Sequence, residues 1–65
     1  MKSNKLKAKL VENGVTMEAY AKALGIDTAT LYRRINKDDM RIRDAIVSKD
    51  FLKLSNEEAI EIFLS

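Results

Sequence analysis

Residues 16–36 read TMEAYAKALGIDTATLYRRIN, and the organisation of the whole chain turns on this stretch. Thr16 is a good N-cap for a helix over 17–24. Within it Tyr20, Ala21 and Leu24 form one apolar stripe, and Ala21 is small where two helices must cross closely. Gly25 follows and can take the positive φ that turns a chain sharply. Ile26 then plugs the core beneath the turn. Asp27 caps a second helix over 28–36, whose buried residues are Leu31 and Ile35 at i, i+4. At about 100° per residue, Thr28, Ala29, Tyr32, Arg33 and Asn36 fall on one arc away from those two. That arc is small near the helix start and long and polar further on. Two short helices about a tight turn outline a helix-turn-helix, a motif that sets its second helix into a DNA groove.

Working outward, residues 1–4 are a polar lead-in, and Ser3 or Asn4 can cap a helix over 4–13. Leu6, Leu10 and Val11 then share a face. Lys2, Lys5, Lys7 and Lys9 cover the other faces, with no acid until Glu12. These lysines read either as a solvated helix face or, for Lys2 and Lys5, as phosphate contacts; Lys7 and Lys9 stand nearer the solvated reading. Asn13-Gly14 stops the helix, since Gly supplies the left-handed residue after the last turn. Beyond the central stretch, 36–39 is a polar loop and Met40 re-enters the core. Ile42, Ala45, Ile46, Val47, Phe51 and Leu52 supply the apolar positions of a helix over 42–52, with Ser48 a weak spot. Ser55 with Glu58 is a capping box opening a helix over 56–64. There Ala59, Ile60, Ile62, Phe63 and Leu64 cover roughly half the circumference, more than the ~100° a core-facing helix needs. The excess reads as a well-buried last helix or as a dimer seam through Ile60, Ile62, Phe63 and Leu64. The expected architecture is all-α, one domain over 1–65, a compact bundle of about five short helices.

Sixty-five residues make one core and no more. A chain of this size buries only about 60% of its unfolded surface, so its stability margin is thin. Cysteine and histidine are absent, which excludes disulfides and the usual metal sites; no metal, cofactor or small-molecule ligand is expected. The composition fits a reducing, intracellular compartment, the cytoplasm. No apolar run approaches the ~18 residues that cross a membrane. Net charge is +2, yet residues 1–43 hold ten Lys/Arg against five Asp/Glu, while 44–65 hold two against five. One end therefore attracts phosphate and the other repels it. The acidic pairs Asp38-Asp39 and Glu57-Glu58 are adjacent and do not converge on a site. No nucleophile–base pair or phosphate-binding loop accompanies them, so no catalytic residue and no enzyme is expected.

Ala21, Gly25, Ile26 and Leu31, at their spacing, resemble the helix-turn-helix of the phage Cro and cI repressor family, small lambda-repressor-like regulators of the XRE type. The later run from Met40 through Leu52-Lys53-Leu54-Ser55 to Ile62-Phe63 is similar to small phage-type members of that group. The resemblance covers nearly the whole chain, from about Leu6 to Leu64. It implies a transcriptional regulator in a bacterial cell or phage-infected host, docking its third helix in the major groove of a double-stranded DNA operator, usually as a homodimer. Carried over by position, the base-reading places fall on Thr28, Ala29, Tyr32 and Arg33. The family commonly carries Gln at the start of helix 2; here that place is Met17, which leaves the phosphate clamp to Thr16 or to backbone N–H groups near Met17.

The chemistry of these residues suits the role. Arg33 can fork onto guanine O6 and N7, a contact worth about 1–3 kcal/mol of discrimination. Tyr32 can donate to phosphate or pack on a thymine methyl, Thr28 can serve a base edge, and Ala29 permits close approach. Arg34, Asn36, Lys37, Arg41 and Arg43 lie at or after the end of this helix, where backbone contacts position a protein without reading sequence. The competing expectation is a helix-turn-helix used for protein binding, an antirepressor-like module docking through its apolar final helix.

Overall fold

Three side-chain caps fix where three helices begin. Thr16 Oγ1 accepts from Ala19 N at 3.1 Å, and Asp27 Oδ1 accepts from Thr30 N at 2.8 Å. Ser55 Oγ accepts from Glu58 N at 3.1 Å while Glu58 Oε1 accepts from Ser55 N at 2.9 Å. Each such cap satisfies a backbone donor that the helix leaves open and is worth about 1 kcal/mol. The computed structural model describes residues 1–64 and holds α1 (Ser3–Glu12), α2 (Met17–Leu24), α3 (Thr28–Asn36), α4 (Ile42–Phe51) and α5 (Asn56–Phe63). Among the described residues there is no strand, so the fold is an all-α bundle of five helices. Ser65, the end of the expected 1–65 span, lies outside the described residues.

The α2–α3 turn is made by Gly25 at φ 73°, with Gly25 N donating to Lys22 O and Ile26 N to Ala21 O. A side chain there would be strained in the left-handed region. α2 packs against both α3 and α4, and α5 packs against α4 and α1. The core gathers Leu6 and Leu10 of α1, Tyr20, Ala21 and Leu24 of α2, Leu31 and Ile35 of α3, Leu52 and Leu54 after α4, and Ile62 of α5. Val15, Ile26 and Met40 pack against it half-buried.

Three expectations are corrected. The first helix starts at Ser3 with Lys2 in the capping position and no side-chain cap, so neither Ser3 nor Asn4 caps it. Lys2 N instead donates to Ile62 O at 2.8 Å, tying α1 to α5. Val11 is 81% exposed rather than buried beside Leu6 and Leu10; five residues past Leu6 it has turned about 140° away. The largest correction is α4. Ile42 and Ile46 face solvent at 78% and 65% exposure, Phe51 is partly exposed, and the buried residues of this helix are Asp44 and Ser48.

Those two polar residues are buried because every polar atom finds a partner, which removes the cost of leaving water. Ser48 Oγ donates to Asp44 O and bonds the Tyr20 hydroxyl. Burial pushes the Tyr20 phenol up to about 12. Asp44 Oδ2 accepts from Arg34 Nη1 at 3.0 Å and from Arg41 N at 3.1 Å. Arg43 Nη1 donates to Leu24 O at 3.1 Å, at the end of α2. α4 is thus tied by hydrogen bonds to both helices of the Gly25 turn. The α1–α5 seam is held differently, by Lys5 paired with Glu61 and Lys9 paired with Glu58. The Lys9 hydrogen bond, with the Ser55 N–H, holds the Glu58 carboxyl down to about 2.

Candidate nucleic-acid interface

α3 is locked on one side and open on the other. Leu31 and Ile35 sit in the core, and the Asp27 cap fixes the start of the helix. The Asp27 carboxyl lies below the usual range, first through the Thr30 hydroxyl and N–H and to a smaller degree through the Arg33 charge. On the opposite side Ala29, Tyr32, Arg33 and Asn36 are exposed and Thr28 is half-buried. The five residues expected to share an arc do share it. Among the described residues the side chains of Arg33 and Asn36 make no hydrogen bond or ion pair, so their donors face solvent.

The residues expected to hold phosphate divide into groups. Lys37 and Arg41 are exposed, with no ion pair among the described residues, on either side of the α3–α4 loop. Thr16 and Met17 stand at the start of α2, where the Thr16 hydroxyl oxygen caps the helix and Met17 is half-buried against the core. Arg34 turns inward: its side chain is 11% exposed and its guanidinium is spent on Asp44. Arg43 is drawn to the Leu24 carbonyl. Lys2 and Lys5 both face Glu61 on α5, Lys2 at 3.8 Å, so this one carboxylate draws both ammonium groups toward α5. Arg34, Lys2 and Lys5 are therefore not free cations beside α3. The physical reason is that helical spacing assigns a face but does not reveal which acid a neighbouring helix brings.

Lys7 is the cation that sequence reading set aside. It lines an open cleft with Leu10, Val11, Val15, Met17 and Tyr32, and among the described residues it has no acid partner. The signal available in the sequence was its offset of two residues from both Lys5 and Lys9, which places it on a different side of α1.

A second surface lies between α4 and α5. Ile42, Ala45, Ile46, Ala59, Ile60 and Leu64 line an apolar groove edged by Arg41 and Lys49. Of the residues expected at a dimer seam, Ile60 and Leu64 are exposed and Phe63 is half-buried, but Ile62 is 2% exposed and belongs to the core. The α4 residues Ile42 and Ile46 take its place on the surface. Among the described residues no His/Cys/Asp/Glu cluster is arranged to hold a metal ion, and no helix is long and apolar enough to cross a membrane. Comparison of the chain with protein-family models, with curated proteins and with solved structures yields no match.

Proposed function

We propose that this protein is a sequence-specific, double-stranded-DNA-binding transcriptional regulator of Cro or repressor type, a binding protein rather than an enzyme, acting in the cytoplasm of a bacterial cell or phage-infected host. The observation that carries the reading is α3 itself. Its buried side is fixed by Leu31, Ile35 and the Arg34–Asp44 pair, while Thr28, Ala29, Tyr32, Arg33 and Asn36 form one solvent-facing arc. A rigid helix with a small first turn and a free arginine beyond it suits the major groove of a duplex. α2 and α3 then act as the helix-turn-helix, and Lys37 and Arg41 meet the backbone at the end of the reading helix.

Selection from a random pool of duplexes tests this directly. The parent protein enriches a defined operator, and Arg33→Ala relaxes preference at one base pair by about 1–3 kcal/mol while leaving the other positions intact. A pool that stays random for the parent, with no duplex retained, overturns the reading.

The α4–α5 groove favours a homodimer as the binding unit. Four exposed aliphatic side chains on adjacent helices are more than a soluble surface needs. The rim carries two cations, Arg41 just before α4 and Lys49 on it. Ile46→Glu alters a solvent-facing side chain, so the fold persists and dimer formation fails. Sedimentation equilibrium should show a dimeric parent and a monomeric variant; a monomeric parent at high concentration rejects the dimer. The same groove is the one feature favouring the other reading, a protein-interaction module. In that case Ile46→Glu abolishes partner binding and Arg33→Ala is silent.

A further inference from the structure

We propose that α1 supplies a seat for the sugar–phosphate backbone of duplex DNA beside α3, in which Lys7 holds the phosphate and Val11 and Tyr32 flank the deoxyribose. This inference rests on the DNA-binding reading and extends it to a helix outside the helix-turn-helix.

Charge pairing sorts the α1 lysines. Lys2 and Lys5 meet Glu61, and Lys9 meets Glu58 and Glu12. All three ammonium groups are thereby held toward α5 or along α1. Lys7 has no such partner among the described residues and lines a cleft to which α3 contributes Tyr32. Its neighbours in the cleft are Leu10, Val11, Val15, Met17 and Tyr32, without a carboxylate among them. A cation at the edge of a carbon-lined cleft with no acid is matched by a ligand that offers an anion on an apolar stem. A phosphodiester with its C–H-rich sugar is such a ligand.

Position chooses nucleic acid over an acidic peptide. Tyr32 belongs both to the cleft and to the exposed arc of α3, so the cleft is continuous with the reading surface. A duplex laid along that arc presents its backbone at the edges of the groove, which is where a cleft adjoining the reading helix lies. Val11 is explained by the same arrangement. It is the most exposed of the large hydrophobic residues, and a sugar resting against it removes that surface from water.

The test is anisotropy binding to a random-sequence duplex across a salt series, with helicity monitored to confirm folding. Lys7→Ala removes one phosphate contact per protomer and should make the slope of log K against log salt shallower by about 0.9 for each protomer bound, about 1.8 for a dimer. Lys5→Ala removes the same formal charge from a residue already paired with Glu61, and its slope should equal the parent's. Val11→Asp puts a carboxylate into the seat without touching the core, and binding at low salt should drop about tenfold or more through like-charge repulsion. Equal slopes for Lys7→Ala and the parent, or equal changes in Lys7→Ala and Lys5→Ala, overturn the seat while the DNA reading stands. A parent that does not bind the duplex at any salt concentration overturns both.

Discussion

Arg34→Met is expected to destabilise the domain by roughly 3–5 kcal/mol, because it strips the guanidinium from a carboxylate that has no route to water. Asp44 is 1% exposed, and once Arg34 is gone its Oδ2 retains only the Arg41 N–H. Domains of this length hold about 3–10 kcal/mol in total at ordinary stability per residue, so the variant should sit close to its unfolding midpoint at ambient temperature. Asp44→Leu combined with Arg34→Met should recover most of the loss, since a buried pair replaced as a unit by apolar groups leaves no orphaned charge. The Arg41 N–H then loses its acceptor, at about 1 kcal/mol. Urea titration separates these outcomes: a large fall in midpoint for the single variant and a small one for the double, at unchanged slope. A single variant as stable as the parent would mean that Asp44 contributes nothing to holding α3 on α4.

Affinity for random-sequence duplex is expected to fall about 10³-fold between 50 and 200 mM salt. Lys7, Lys37 and Arg41 are the cations left for the backbone once Arg34, Lys2 and Lys5 are assigned to protein carboxylates and Arg43 to the Leu24 carbonyl. A two-fold dimer doubles the three to six. Each phosphate neutralised releases condensed counterions and adds about 0.9 to the slope, so six contacts give a slope near −5. A monomer with three contacts would lose only about 40-fold over the same range. The slope therefore reads two things together, that the partner is a polyanion and how many protomers grip it. A flat response rules out a phosphate-tracking mode altogether.

Where the chain can be read in advance follows the range of the interaction involved. The caps at Thr16, Asp27 and Ser55 are legible because donor and acceptor lie three residues apart. Leu31 and Ile35 are legible because apolar spacing and burial agree, and the α3 arc follows as their complement. α4 is illegible for the opposite reason. A pattern rule counts Ile42 and Ile46 as core and Ser48 as a flaw, whereas Ser48 is buried by a bond to Tyr20 on another helix, 28 residues away. Arg34 fails likewise. Nothing within a turn of it announces Asp44, so an arginine at the end of a reading helix looks like a phosphate contact until the acid on the next helix is known. The lysines of α1 are sorted chiefly by Glu58 and Glu61, on the last helix of the chain.

The division of α3 into a bonded side and an open side also governs how such a chain can change over generations. Surface substitutions without partners usually shift stability by no more than about 0.5 kcal/mol. Ala29, Arg33 and Asn36 are of that kind, so each can drift alone and every intermediate remains folded. Positions 34 and 44 cannot, because either change by itself strands a buried charge. The surface that would set a preferred ligand is thus open to single-step variation, while the hardware that aims it moves only in coordinated pairs. A lineage built on this chain would diversify quickly at one set of positions and stay nearly frozen at its neighbours one residue away.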